Sequence, residues 1–279
     1  MFSDPDFYKK ANLFTTVNTK DVLEKFQKFI KFQEDEMNLI LDVGSGCGSV
    51  TSNILIPAIS PHNFKLIGID INSTSVDFAN THVKDARASF RVLDITEKDK
   101  NNFKKIFSED ELNPGFDVVY SFSVLNWAGD IEQVLNNLYS LLKPGGQILL
   151  WFMGYSDLTG IWRSVKENQK WNTYLKMEPD CQFIFHDSSD VIMDCSKIVS
   201  SAGFQDIIVD CNRMPVVTDW NYNWRNPMEM IAPWRDKIPE HLQKEYFDDI
   251  YNGFKEREND PDNLQFDRIV IIATKPHLS

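Results

Sequence analysis

The sequence predicts an α/β fold built on a doubly wound sheet, and three observations carry that expectation. An apolar run at Leu39, Ile40, Leu41 and Val43 breaks into Gly44, Gly46 and Gly48, a pattern of a strand buried on both faces and a turn that brings backbone close to a ligand. Further apolar runs, Phe64 to Ile69, Ser89 to Leu93, Phe116 to Ser121 and Gln147 to Met153, alternate with segments of helical period, as parallel strands joined by helices do. Two of these runs lead into an acid, Asp70 and Asp94, at the carboxyl edge where such sheets bind their ligands.

In chain order, Val22, Leu23, Phe26, Phe29 and Ile30 recur at helical spacing, with Asn18 or Thr19 available as a cap. The segment ahead of them, Phe7 to Thr16, has no period and is read as part of a lid over a ligand. A helix begins near Ser49 and is limited by Pro57 and Pro61. Ser73 or Thr74 caps a helix through Val76, Ala79 and Val83. After the fourth strand, Asp130 and Gln133 form a capping box for a helix lined by Ile131, Val134, Leu135, Leu138 and Leu142, and Lys143 to Gly146 ends it. Tyr155, Trp162, Trp171 and Tyr174 follow among helix formers, either as one wall of an apolar pocket or as core for a helix covering the sheet. His186 is a candidate to orient a substrate or to cap the helix Ser189 to Ala202. Strand six is expected over Asp206 to Cys211. An insertion from Met214 to Pro261 then carries Trp220, Tyr222, Trp224 and Trp234 and a helix opened by Pro239, suited to a lid or a dimer surface. Asp267 to Thr274 supplies strand seven, the expected antiparallel partner at the end of the sheet.

Composition removes several classes of function. A length of 279 residues with 42% apolar content fits one α/β domain, residues 1–279, with insertions. A net charge of −12 opposes binding to a phosphate backbone, so no nucleic-acid partner is expected. No apolar run approaches the ~20 residues that span a bilayer, and the N-terminus lacks the apolar core of a secretory signal. The cysteines at 47, 181, 195 and 211 form no CxxC pair, so neither a zinc site nor a disulfide framework is expected, and a reducing cytoplasmic setting fits best.

The glycine turn narrows the ligand. A nicotinamide dinucleotide fingerprint needs a third glycine where Ser49 stands, and no Gly-Lys-Ser/Thr is present for a P-loop. Asp42, just before Gly44, would oppose a pyrophosphate and suits a cation or an amino group. S-adenosyl-L-methionine carries a sulfonium and an ammonium and no phosphate. The cofactor contacts expected on this basis are Asp42, Gly44, Ser45, Gly46 and Gly48, Asp70 for the ribose hydroxyls with Ile71 beside it, Asp94 for the adenine amino group with Ile95 on the ring, and Ser121 at the end of strand four.

With LDVGSGCG, GIDIN, VLDI and LLKPGG in that order, the chain resembles the class I S-adenosylmethionine-dependent methyltransferases. The resemblance implies a Rossmann-like seven-stranded sheet with helices on both faces and, here, an aromatic helical lid. Residues 1–153 would make the cofactor-binding core and its N-terminal lid segment, and 154–186 and 214–261 would be insertions covering the substrate. A further likeness, to the insect juvenile hormone acid O-methyltransferases, rests on Tyr8-Lys9-Lys10-Ala11-Asn12, on SFRVLDI from Ser89, on the SFSVLNW segment, on FHD at Phe185 to Asp187 and on AGF before strand six. These enzymes esterify farnesoic or juvenile hormone acid. The family's Gln after the Tyr and Asn is Thr15 here, and the His of its His-Trp pair is Asn126, followed by Trp127.

The resemblance implies an enzyme that methylates a small hydrophobic carboxylic acid, with Thr15, Asn126, Trp127, Tyr155 and Trp162 against the substrate and Trp127 and His186 as candidate catalytic groups. A carboxylate is already ionised at neutral pH, so its methylation needs alignment rather than a base. A hydroxyl or amine acceptor would need one, for which His186 is the candidate. A third alternative is a silent relative that holds the cofactor or a lipid without turnover. The oligomeric state is left open between monomer and homodimer.

Overall fold

The computed structural model describes residues 12–179, 183–216, 232–258 and 264–277. Seven strands form one sheet in the order β3-β2-β1-β4-β5-β7-β6. The parallel part comprises β1 (Asn38–Val43), β2 (Phe64–Asp70), β3 (Ala88–Val92), β4 (Phe116–Phe122) and β5 (Leu142–Ser156). β6 (Gln205–Pro215) and β7 (Gln265–Thr274) complete it, with β7 antiparallel to both β5 and β6. Strand seven therefore lies between five and six, and β6 forms the edge. The reason lies in the sequence: β7 is apolar almost throughout and buried, whereas β6 alternates and stays partly exposed.

Helices cover both faces. They are α1 (Leu13–Phe26), α2 (Ile56–Ile59) after a π-helical turn at Thr51–Leu55, α3 (Ser73–His82), α4 (Phe103–Ile106), α5 (Glu109–Leu112), α6 (Ile131–Leu141), α7 (Asp157–Glu167), α8 (Gln169–Leu175), α9 (Val191–Ser201) and α10 (Glu240–Glu258). One apolar layer packs α6 and α9 on the sheet through Val134, Leu135, Leu138, Cys195 and Val199. The opposite face carries α1 and the segment after β1 through Val22, Leu23, Leu55 and Ile59, against Trp151 and Tyr120. The helix after the glycine turn carries Pro57 near its end and stops ahead of Pro61.

α1 begins ahead of the expected caps. Asn18 and Thr19 are buried in its interior rather than at its start: Asn18 Oδ1 accepts from Arg268 at 3.2 Å, and Thr19 Oγ1 accepts from the Trp151 indole at 3.0 Å. Asp21 accepts from the same Arg268 at 2.6 Å, so this fully buried guanidinium on β7 is paired. Phe14 completes the docking with edge-on contacts to Trp151 and Phe266. Of the expected lid segment, Leu13 to Thr16 is therefore the first turn of α1, and residues 7–11 lie outside the described residues.

Two further expectations are corrected. Asp130 caps α6 by accepting from the Gln133 amide N–H, but the Gln133 side chain turns to Asn137 instead of closing a capping box. Asn137, fully buried, in turn donates to the carbonyls of Ile95 and Glu97 at 2.7 and 2.8 Å, fixing the turn that follows β3. The cap of α9 is Asp190, which accepts from the Met193 N–H, and not His186.

The aromatic segments after β5 build a third apolar cluster, in which Trp162, Trp171, Phe183, Tyr246, Phe247, Ile250 and Phe254 join α7, α8 and α10. Trp171 is sealed there, its indole donating to Asp249 at 2.6 Å, and Tyr174 is half-exposed. Trp220, Tyr222, Trp224 and Cys181 lie outside the described residues.

Candidate active site

The carboxyl ends of β1 and β2 meet at the glycine turn. Gly44 and Ser45 donate their N–H groups to the Ile69 carbonyl at 2.8 and 3.0 Å, tying the turn to the neighbouring strand. Gly44, Gly46 and Gly48 adopt φ of +75°, +53° and +73°, a region that L side chains rarely enter. A Cβ on Gly44 would stand 2.1 Å from Val124, so the turn and the loop after β4 are in direct contact.

Asp70 projects at the end of β2 and accepts from the Gly46 N–H at 2.9 Å and the Asn72 N–H at 2.8 Å, one on each oxygen. Each oxygen keeps a further lone pair for a hydroxyl. Burial pushes the Asp70 pKa up, and the two backbone donors oppose that. Ile71 beside it is 52% exposed and open to a ring. Asp94 receives both the N–H and the hydroxyl of Thr96 on one oxygen, while Ile95 is buried in the layer beneath α6. Ser121 is also buried, and its hydroxyl donates to the Val43 carbonyl at 3.0 Å, locking β4 to β1.

Asp42 is buried and accepts from the Thr51 hydroxyl at 2.6 Å. Burial pushes its pKa from 3.8 up to about 7, the Thr51 hydrogen bond opposes this, and the Asp70 charge reinforces it. A buried carboxyl with an anionic neighbour and, among the described residues, no cation acting on it is suited to a positively charged ligand. The pH consequence has a definite sign. The folded-state pKa lies above the unfolded one, so this contribution to stability is complete below about pH 4 and is lost as pH rises to about 7, roughly 4 kcal/mol across the window. In the ligand-free protein, Asp42→Asn is expected to gain in Tm over the wild type, and the gain should grow from pH 5 to pH 8. Melting curves of both proteins check this, and a gain that stays constant with pH excludes the titration.

The second half of the site lies past β4 and β5. Trp127, in a 3₁₀ turn at Leu125–Trp127, is 37% exposed, and its indole packs edge-on against Phe183 at 5.5 Å. Trp162 of α7 meets the same Phe183 at 5.8 Å. Asn126 is buried, and among the described residues neither atom of its amide has a hydrogen-bond partner. Tyr155 stacks on His186 at 4.8 Å, with the Arg213 guanidinium over its ring, and its hydroxyl donates to Asp157. His186 Nδ1 accepts from the Ser156 N–H at 3.3 Å, and burial lowers its pKa.

Thr15 is buried in the first turn of α1, which reaches the glycine turn through Asn12: its amide donates to Ser49 Oγ at 2.8 Å. The structure therefore brings Trp127 and Trp162 onto one phenyl ring, puts Tyr155 and His186 in one stack, and joins Asp42, Asp70 and the glycines at one strand edge. Ser49 and Thr51 had no signal beyond being polar residues near a glycine turn, and Asn12 had only its place in the Tyr8 to Asn12 motif of the resemblance. Thr159, on the Trp162 face of α7, had only its three-residue spacing.

Known proteins agree with this geometry. A family model described as a methyltransferase domain matches residues 41–148. The chain is 29% identical to the juvenile hormone acid O-methyltransferase of Bombyx mori over 91% of this chain and 87% of that protein. It is 29% identical to the Drosophila melanogaster enzyme of the same name over 87% of this chain and 80% of that protein. Among solved structures, the Haemonchus contortus phosphoethanolamine N-methyltransferase 2 in complex with S-adenosyl-L-methionine superposes with a TM-score of 0.53 at 19% identity, covering 92% of this chain and 53% of that one. Among the described residues no helix is long and apolar enough to cross a membrane. The strand order, the glycine turn, the acids at the strand ends and these likenesses converge: the chain is an S-adenosylmethionine-dependent methyltransferase with the Rossmann-like sheet of the class I enzymes, and it resembles the juvenile hormone acid O-methyltransferases.

Proposed function

We propose that this methyltransferase forms methyl esters of a hydrophobic carboxylic acid, with isoprenoid acids such as farnesoic or juvenile hormone acid as the first class to test. The names of the two insect relatives support the class of acceptor. The observation that carries the reading is the state of His186. Its Nδ1 is occupied as an acceptor from Ser156, which leaves the proton on Nε2, and its pKa is lowered by burial. In that tautomer the ring has no free lone pair with which to deprotonate a hydroxyl or an ammonium. A carboxylate needs no such help.

In this reading residues 1–153 form the cofactor-binding core, and the segments 154–186 and 214–261 cover the substrate. Asp70 would take the ribose hydroxyls between Ile71 and the glycine turn, Asp42 would face the ammonium end, and Asp94 would take the adenine amino group. When bound, the cofactor supplies an electrophilic methyl group on a sulfonium. The chain's own task is alignment at near-contact distance and exclusion of water. Trp127 donates its indole N–H to one carboxylate oxygen, leaving the other to face the methyl group, and the aromatic walls around Phe183 hold the apolar chain.

The test uses labelled S-adenosylmethionine with farnesoic acid and a panel of long-chain acids, on the wild type and on His186→Ala. Label is expected in the organic extract as an alkali-labile ester, and His186→Ala is expected to retain a measurable fraction of turnover. No labelled ester from any acid overturns the reading. Complete loss in His186→Ala, with cofactor affinity intact, would favour a hydroxyl or amine acceptor.

A further inference from the structure

Two elements of the acceptor side carry buried polar atoms without a hydrogen-bond partner: Asn126 Nδ2 and Oδ1 after β4, and Thr159 Oγ1 and Trp162 Nε1 on α7. Asn126 is 8% exposed, and Thr159 and Trp162 are sealed from solvent. These elements converge, because Trp127, next to Asn126, and Trp162 both pack edge-on on Phe183. Thr159 and Trp162 are three residues apart on one helix, so they share a face. Unpaired buried polar groups are rare in native proteins, and groups left unpaired among the described residues, on two elements that meet at one phenyl ring, point to a partner such as a bound ligand.

We infer that Asn126, Thr159 and Trp162 form an uncharged receptor for oxygen atoms of the methyl acceptor. The inference rests on the acceptor reading given above and adds to it the groups that select the acceptor. An indole N–H only donates, an amide offers two donor hydrogens, and a hydroxyl donates as readily as it accepts. An oxygen-rich group satisfies all three. An ammonium leaves the Trp162 N–H facing another donor. The receptor also explains how an anion can be held without being neutralised: neutral dipoles orient a carboxylate while leaving its charge, and hence its nucleophilicity, in place, where a guanidinium would have paired with it.

The test separates this role from a packing role. Thr159→Val and Asn126→Leu remove the unpaired polar atoms of one element each with little change of shape. In the presence of S-adenosylhomocysteine, melting shifts are read for wild type and both variants with farnesoic acid, farnesol and farnesylamine, alongside KM for any acid that turns over. The expected result is a wild-type shift with the acid and none with the amine. Each variant should lose that shift, raise KM for the acid roughly tenfold, as the loss of about one hydrogen bond does, keep its S-adenosylhomocysteine affinity and melt no lower than wild type without ligand. A variant that melts lower while keeping wild-type KM and shift overturns the receptor, as does a wild-type protein that none of the three ligands shifts, or one that the amine shifts as much as the acid. If farnesol alone gives a shift and the variants lose it, the receptor stands and the ester-forming reading falls. If the acid is methylated equally by all three proteins, the ester-forming reading stands and the receptor falls.

Discussion

Gly44→Ala is expected to abolish cofactor binding and to lower Tm by on the order of 10 °C. Gly44 has φ +75°, where an L residue costs about 1–2 kcal/mol. Its new Cβ would stand 2.1 and 2.8 Å from the two methyl groups of Val124, an overlap that neither backbone segment can relieve without moving, for a further cost of about 1–3 kcal/mol. Moving the turn breaks the Gly44 and Ser45 donations to Ile69 and displaces Gly46, which supplies one of the two N–H groups on Asp70. Adding Val124→Ala should restore roughly half of the lost stability, because it removes the two methyl contacts and leaves the Cβ contact at 3.0 Å and the backbone strain. Denaturation curves of the single and double variants, with calorimetry of S-adenosylhomocysteine, measure both. Wild-type affinity in Gly44→Ala would mean that the turn is not where the cofactor lies.

Asp70→Asn should weaken S-adenosylhomocysteine binding by roughly two orders of magnitude, the worth of about two hydrogen bonds to a charged acceptor. The carboxylate serves two partners on the protein already, so a drop in affinity alone would not separate a ribose contact from a disturbed loop. A ligand lacking the 2′-hydroxyl separates them. It should bind wild type more weakly than the parent does, and the two losses should fall short of additive when variant and analogue are combined. Full additivity would reduce Asp70 to a clamp on Gly46 and Asn72.

The strands and the glycine turn were legible because each is a local pattern: continuous apolar runs for β1, β4 and β5, and alternate glycines that need positive φ. What was not legible depends on partners far away in sequence. Asn18 and Thr19 read as caps because short polar residues favour helix ends, yet Arg268 and Trp151 make them interior residues of α1. β7 reads as the last strand, and only its burial on both faces places it inside β6. His186 looked like a helix cap or a base, and the Ser156 N–H that occupies it arrives from the far end of β5. Past β4 and β5, Trp127 and Trp162 stand out by type, whereas Thr159 is an ordinary helical threonine whose hydroxyl has no partner among the described residues.

The buried Arg268 has a consequence for biosynthesis. The first helix docks on residues that the ribosome makes much later: Trp151 on β5, then Phe266 and Arg268 on β7. A nascent chain can pair β1 with β2 and then with β4 as they emerge, and α1 can meet Leu55 and Ile59, but its anchors to Trp151 and Arg268 must wait. Chains cut short before residue 268 would leave α1 without its salt bridge and the N-terminal side of the turn unsupported. Emergence of β7 from the ribosome thus becomes the event that completes the docking of α1 beside the glycine turn.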